Sequence, residues 1–440
     1  MVFPRNVPIR SSRFLRAPAF ALILWVCLWM NLNTGFWNLQ NPNGVADWLL
    51  FIRAALPFAV LPLACLVLLS GRKFHLPGSS PSRLLMWYGL AAVIGTIFSP
   101  SPMASLYWSI AFLATILAAW TFIDARDPVG STRQLLLVTW VGAFIVAAII
   151  AHQSSNVIFG SSATGYGSIM AATEGLSRSS GVARWAAVPG LVCLVRAYHT
   201  RRPILIAMFL GFAAIAFFIV YRMQSRGAVF GSVAALLFAL VISSRMRRYA
   251  LPFAILAITV ILLVDSPATV SDQITTYLER GQSEEAFISM TGRTRAYNHG
   301  MAAFMDSPLF GYGQWADRLI IHEHVHNSYL SALMNAGIVG GIPYLASWIT
   351  GWILFFRLQK SSAQLRPEDR ICLLEAGTVM MFFTVRAIPE TTTAEFSVDL
   401  LVMAAVYVYL EILAASMAGM PVRRLAPMHI HAKRQLLSSR

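Results

Sequence analysis

Residues 203–221 read Pro-Ile-Leu-Ile-Ala-Met-Phe-Leu-Gly-Phe-Ala-Ala-Ile-Ala-Phe-Phe-Ile-Val-Tyr, with no charge among them. A helix that crosses a bilayer needs ~20 mostly apolar residues, so this stretch is long enough to cross once. Arg201 and Arg202 precede it and Arg222 follows, which marks its two polar boundaries. Runs of the same kind recur at 17–33, 47–70, 84–98, 104–123, 134–151, 182–198, 227–243, 250–265, 327–357, 371–388 and 396–416. The expected fold is all-α: a polytopic membrane helical bundle of about 12 transmembrane helices, forming a single integral domain over 1–440. Hydrophobic residues make up 57% of the chain and charged ones 12%, too few polar groups to cover a water-soluble globule of this size.

The first apolar run ends in no small-residue cleavage signature and is followed at once by another span, so it is read as a retained helix. Cys27, Cys65, Cys193 and Cys372 all fall inside expected spans, where a thiol behaves as a small apolar group, and they form no disulfide framework or zinc motif.

A net charge of +15 could point to nucleic acid, but the placement of the basic residues argues against that partner. With the N terminus inside, the inward segments 1–16, 71–83, 124–134, 196–202, 243–249, 357–370 and the basic tail 417–440 hold 24 of the 34 Lys and Arg. That is the positive-inside pattern of a bacterial inner-membrane protein with both termini cytoplasmic. Every lysine lies inward. The basic residues left over are arginines, among them Arg178, Arg184, Arg222, Arg226 and Arg293. They run against the orientation signal, and a group of outward arginines calls for an anionic partner.

Two outward connections are long. One runs from His152 to Gly181; the other, the large periplasmic loop, occupies 265–326 before the tenth span and contains a helical-looking stretch from Thr291 to Met305. Loops of that length are commonly functional. A third, tight turn carries Arg222 and Arg226, four residues apart and so on one face if the turn is helical; snorkelling at the interface is the ordinary explanation for Arg222. The tenth stretch is too long for one straight span, since 327–357 would reach about 46 Å against a core of ~30 Å. A short outer helix from about His326 to Ala336 is expected, then a bend at Gly337, Gly340 and Gly341, and a span from Pro343.

His322-Glu323-His324-Val325-His326-Asn327 places three histidines directly before that helix. In a strand the three rings would share a face suited to zinc, copper or nickel, but no fourth ligand is evident nearby, and no metal is expected. His326 could instead act as a general base on a hydroxyl, or merely cap the helix; residue chemistry does not separate these two readings. The arginines suit a diphosphate, because guanidinium groups stay charged and grip phosphate oxygens two at a time. Arg178, Arg226 and Arg293 stand on three different outward connections that could converge.

Three stretches, Ser225-Arg226-Gly227, Gly292-Arg293 with Tyr297 and Asp306–Gly313, and His326-Asn327-Ser328-Tyr329-Leu330 running to Gly337–Gly340, resemble the O-antigen ligase and polymerase superfamily of bacterial envelope proteins, which includes exopolysaccharide polymerases. The likeness spans roughly 170–345. It implies a polyprenyl-diphosphate-linked glycan donor held by Arg226 and Arg293, an acceptor-activating histidine at His326, and a further arginine at Arg178. Tyr297 stands where the family often has tryptophan four residues after the loop arginine, and keeps an aromatic there. Arg222, Asn327, Tyr297 and Arg184 are secondary candidates. The expected reaction is metal-independent inverting glycosyl transfer at the periplasmic face, with no cofactor. The acceptor is lipid A core for a ligase or a growing lipid-linked glycan for a polymerase. A twelve-helix transporter of anions or lipid-linked sugar is the rival from another class, because paired arginines could line an anion path.

Overall fold

The computed structural model describes residues 19–32, 47–69, 80–123, 127–153, 179–248 and 293–418, with a few isolated positions beside them. The expected span at 250–265, Arg178, Gly292, most of the connection 265–292 and the tail beyond 418 lie outside the described residues. The helices are α1 Ala19–Met30, α2 Asp47–Leu69, α3 Pro81–Gly95, α4 Pro102–Thr121, α5 Pro128–Gln153, α6 Ser179–His199, α7 Pro203–Arg222, α8 Arg226–Ile242, α9 Arg293–Asp306, α10 Ser328–Lys360, α11 Pro367–Arg386 and α12 Val398–Met417. No strand occurs among the described residues. The fold is an all-helical bundle, and among the described residues seven helices are long and apolar enough to cross a membrane. Proline opens α3, α4, α7 and α11, where its missing N–H costs nothing and its fixed φ suits the first turn.

Burial ranks the helices from centre to rim. The span window of α12 is 78% buried and that of α7 only 22%, so α12 is the axis of the bundle and α7 faces the surroundings. α12 packs against α4, α5 and α10, while α3 packs on α10, α6 on α7 and α8 on α11. One end of the bundle is tied by Glu411, which accepts from Ser82 Oγ at 2.7 Å, by Arg196 and Glu375 at 2.6 Å, and by the Arg133–Glu368 ion pair. The other end collects the starts of α4, α8, α10 and α12 and the close of α11. There Ser105 Oγ donates to the Tyr312 carbonyl at 3.3 Å and Arg386 meets Asp399 at 3.2 Å.

α10 is broken within its length. Gly337 has φ +58° and ψ −160°, a conformation that costs any L side chain heavily. The Asp306–Gly313 segment fills the break and satisfies the backbone groups it frees. Tyr312 N–H donates to Met334 O at 2.9 Å and Gly313 N–H to Asn335 O at 2.8 Å, while Ile338 N–H donates to Pro308 O at 2.8 Å. A Cβ on Gly337 would lie 2.2 Å from the Leu309 carbonyl, so glycine is required for this close approach. The half of α10 before the break is thereby held rigidly at the bundle's end, with His326 just ahead of it.

Candidate functional site

Asn327 is the N-cap of α10: its Oδ1 accepts from Tyr329 N–H at 3.0 Å and Leu330 N–H at 2.9 Å, leaving His326 outside the helix. Asn327 Nδ2 also donates to the Ile388 carbonyl at 3.0 Å, and Ser328 N–H donates to Ala387 O at 2.9 Å. Ser328 Oγ donates to the Glu390 carbonyl at 3.0 Å and accepts from Thr392 N–H at 2.8 Å. The start of α10 is thus stitched to the turn between α11 and α12. His326 itself has φ +49°, a left-handed conformation that costs a non-glycine residue roughly 1–2 kcal/mol and that gathers at sites where position matters more than stability.

This stitching brings Glu390 under two of the expected site residues. His326 Nδ1 lies 3.2 Å from Glu390 Oε2, and Arg293 Nη2 donates to Glu390 Oε1 at 3.0 Å. Tyr297, one helical turn on from Arg293, donates its hydroxyl to the His326 carbonyl at 3.3 Å. The side chains of His326 and Arg293 keep 22% and 27% of their exposure, so the site is reachable. Burial alone would raise the Glu390 carboxyl; the His326 hydrogen bond, with the charges of Arg386 and Arg293 nearby, holds it well below the usual carboxylate range. An ionised Glu390 is the acceptor for a hydrogen bond from His326 Nδ1–H, which leaves Nε2 as the ring nitrogen the carboxylate does not engage.

Arg226 is the first residue of α8, and the next residue, Gly227, packs on the same turn: a Cβ there would meet Pro389 at 3.5 Å and Glu390 at 3.8 Å. The starts of α8, α9 and α10 therefore converge on Glu390. Arg184 is engaged elsewhere, with Nη1 on Asp399 Oδ2 at 2.9 Å, and fully buried Arg386 shares that oxygen at 3.2 Å. Arg222 Nε donates to the Ile158 carbonyl at 3.0 Å.

A second acid–base group stands beside the first. His324 stacks near His326 with ring centroids 4.4 Å apart, and its Nδ1 meets Asp317 Oδ2 at 2.8 Å. Burial acts to raise Asp317, but His324, the Arg318 charge and the Val325 N–H hold it below its ordinary value. Glu395 faces this carboxylate from the α11–α12 turn, with Ser331 Oγ 3.3 Å away; burial and then the Asp317 charge push it up to about 8. Glu395 is therefore neutral beside ionised Asp317. His322 is exposed.

Among the described residues, one donor atom each from His324, His326 and Glu390 lies within 4.8 Å of the others, the group best placed to share a cation. Arg293 on the same carboxylate sets a fixed positive charge against a dication there. The chemistry the arrangement suits better is a base with an anion-binding wall: a histidine oriented by a carboxylate, flanked by arginines on separate helix starts. Glu390 was not evident in the sequence. Its only signal was a pair of acids in a short outward turn otherwise lacking charge, Glu390 and Glu395.

Residues 211–345 match the family model described as O-Antigen ligase. The matched segment begins in α7, takes in α8 and α9, and ends just past the break in α10. No curated protein matches the chain.

Proposed function

We infer, from a chain whose residues 211–345 match the O-antigen ligase family model, transfer of a glycan from a polyprenyl diphosphate to lipid A core by a membrane glycosyltransferase of that type. The single observation carrying this reading is Glu390, whose two oxygens meet the expected base and an expected diphosphate arginine at 3.2 and 3.0 Å.

In the proposed reaction His326 Nε2 takes the proton of an acceptor hydroxyl while that oxygen attacks the anomeric carbon of the donor sugar. The bond from that carbon to the diphosphate oxygen breaks, and the diphosphate leaves with the electron pair. Arg226 and Arg293 hold the developing charge, with Arg178 as a third donor from the other long connection. A guanidinium has five N–H donors, so Arg293 can serve Glu390 and a phosphate together. Attack opposite the leaving group inverts the anomeric centre. Every group needed for proton removal and charge stabilisation comes from the chain, so the step requires no metal.

The proposed placement of this end of the bundle at the periplasmic face of the inner membrane is supported by the basic residues at the opposite end, among them Arg201, Arg202, Arg245, Arg247 and Arg248. Clustering of the site at one end favours surface chemistry over a transport path through the bundle.

Envelope glycans from a deletion strain test the acceptor. Loss of a ligase leaves finished polymer on its lipid carrier, whereas loss of a polymerase leaves single repeat units; the second outcome would replace lipid A core with a lipid-linked glycan as acceptor.

A further inference from the structure

The end of the bundle opposite His326 carries a second cluster of arginines with a different setting. After α8, the helical segment at 244–248 is pinned by Met246, which is 1% exposed and packs with Val195, Ala239 and Leu374. Its N–H donates to Ser243 Oγ at 3.2 Å. With Met246 held inward, Arg245 and Arg248, three residues apart, share one face of the segment. Arg201, from the short link between α6 and α7, joins them. Together with Ser244 they line an open cavity of about 320 Å³, with no carboxylate among the described residues of its wall.

Like charges at this spacing repel, and none of the three arginines has a carboxylate partner among the described residues. The positive-inside rule explains why arginines lie at this end, but not why three of them surround one cavity. The helices that start and end at the cavity present apolar side chains: Ile204 is 75% exposed and Met208 50% on α7, and Val241 69% and Leu237 58% on α8. A polar, cationic cavity directly at the edge of lipid-facing helix surface is where a headgroup phosphate sits when its acyl chains lie along the helices. Guanidinium forks and a serine hydroxyl match phosphate oxygens.

We propose that Arg201, Ser244, Arg245 and Arg248 form a binding site for a phosphate-bearing anion, supplied by the headgroup of an acidic bilayer phospholipid. The ligand clamps the α6–α7 link to the helical segment after α8. The inference is independent of the glycan-transfer reading, since none of these residues touches the His326 site.

The test is native mass spectrometry of the purified full chain titrated with cardiolipin, phosphatidylglycerol, phosphatidylcholine and, separately, inorganic diphosphate. Wild type should bind cardiolipin and phosphatidylglycerol in preference to phosphatidylcholine. The combined variant Arg201→Gln, Arg245→Gln, Arg248→Gln should weaken that binding roughly a hundredfold while melting and glycan transfer in neutral lipid stay unchanged. Arg247→Gln, a neighbour that does not line the cavity, should bind as wild type does. Binding of diphosphate with no preference for acidic lipid would keep the phosphate site and overturn its lipid source. Equal binding by the combined variant, or an equal loss with Arg247→Gln, would overturn the site itself.

Discussion

His326 directs Nδ1 at Glu390 Oε2 across 3.2 Å, while the next residue, Asn327, takes over the capping of α10. The two roles a histidine could have filled at this position are therefore divided between neighbours. Asn tolerates the left-handed backbone that His326 adopts, so His326→Asn should fold and reach normal abundance. It cannot act as a base, and transfer should fall by at least ~10²-fold. Transfer measured with purified lipid-linked donor and acceptor decides the matter: near-normal turnover removes His326 from the mechanism.

Glu390 should matter twice. Glu390→Gln keeps an acceptor oxygen but loses the charge that Arg293 and the protonated base both face, so transfer should drop by roughly tenfold or more with little change in melting. Glu390→Ala leaves Arg293 and buried Arg386 without that counter-charge, but Arg293 is partly exposed and Arg386 keeps Asp399, so the loss of stability should stay below the roughly 3–5 kcal/mol of a fully buried broken pair. A Gln variant as active as wild type would reduce Glu390 to packing.

Much of the fold was legible because each span is a local property. Eleven of the twelve expected runs coincide with α1–α8 and α10–α12, and the bend expected after Ala336 falls at Gly337. Arg226 could be read as a helix opening for the same reason, and Arg293 fell inside the helical stretch expected from Thr291 to Met305. Glu390 could not be connected to His326, because 64 residues separate them and only the packing of α10 on the α11–α12 turn joins them. Nor could Arg184 be distinguished from a diphosphate ligand: its partner Asp399 lies 215 residues away, at the start of α12. The Asp317–His324 pair was hidden by a wide helical turn that no periodicity announces.

Gly337 is a position where one methyl group should be decisive. Gly337→Ala adds a Cβ 2.2 Å from the Leu309 backbone at φ +58°, so the Asp306–Gly313 segment has to leave the break in α10. Membrane abundance and melting temperature should both collapse. Gly211→Ala is the control, since a Cβ there meets nothing within 4 Å and alanine favours helix by ~1 kcal/mol. Equal behaviour of the two variants would show that the segment does not sit in the break.

Glu395 gives a pH signature of its own. In the folded chain it keeps its proton up to about 8, against 4.5 for an ordinary glutamic acid. The folded state therefore binds more protons than the unfolded state between those values, and stability should decline as pH rises through that interval and level off above it. The sign is opposite to that of Glu390, whose depressed value means that its contribution is lost only as pH falls into the acid range. Glu395→Gln fixes the neutral form and keeps an acceptor for Ser331, so the decline should flatten. The variant should gain melting temperature over wild type by an amount that grows as pH rises from 4.5 to about 8, and match it only below 4.5, where the carboxyl is protonated in both states. If wild type shows no decline across that interval, or the Gln variant declines as steeply, the carboxyl next to Asp317 is not held neutral.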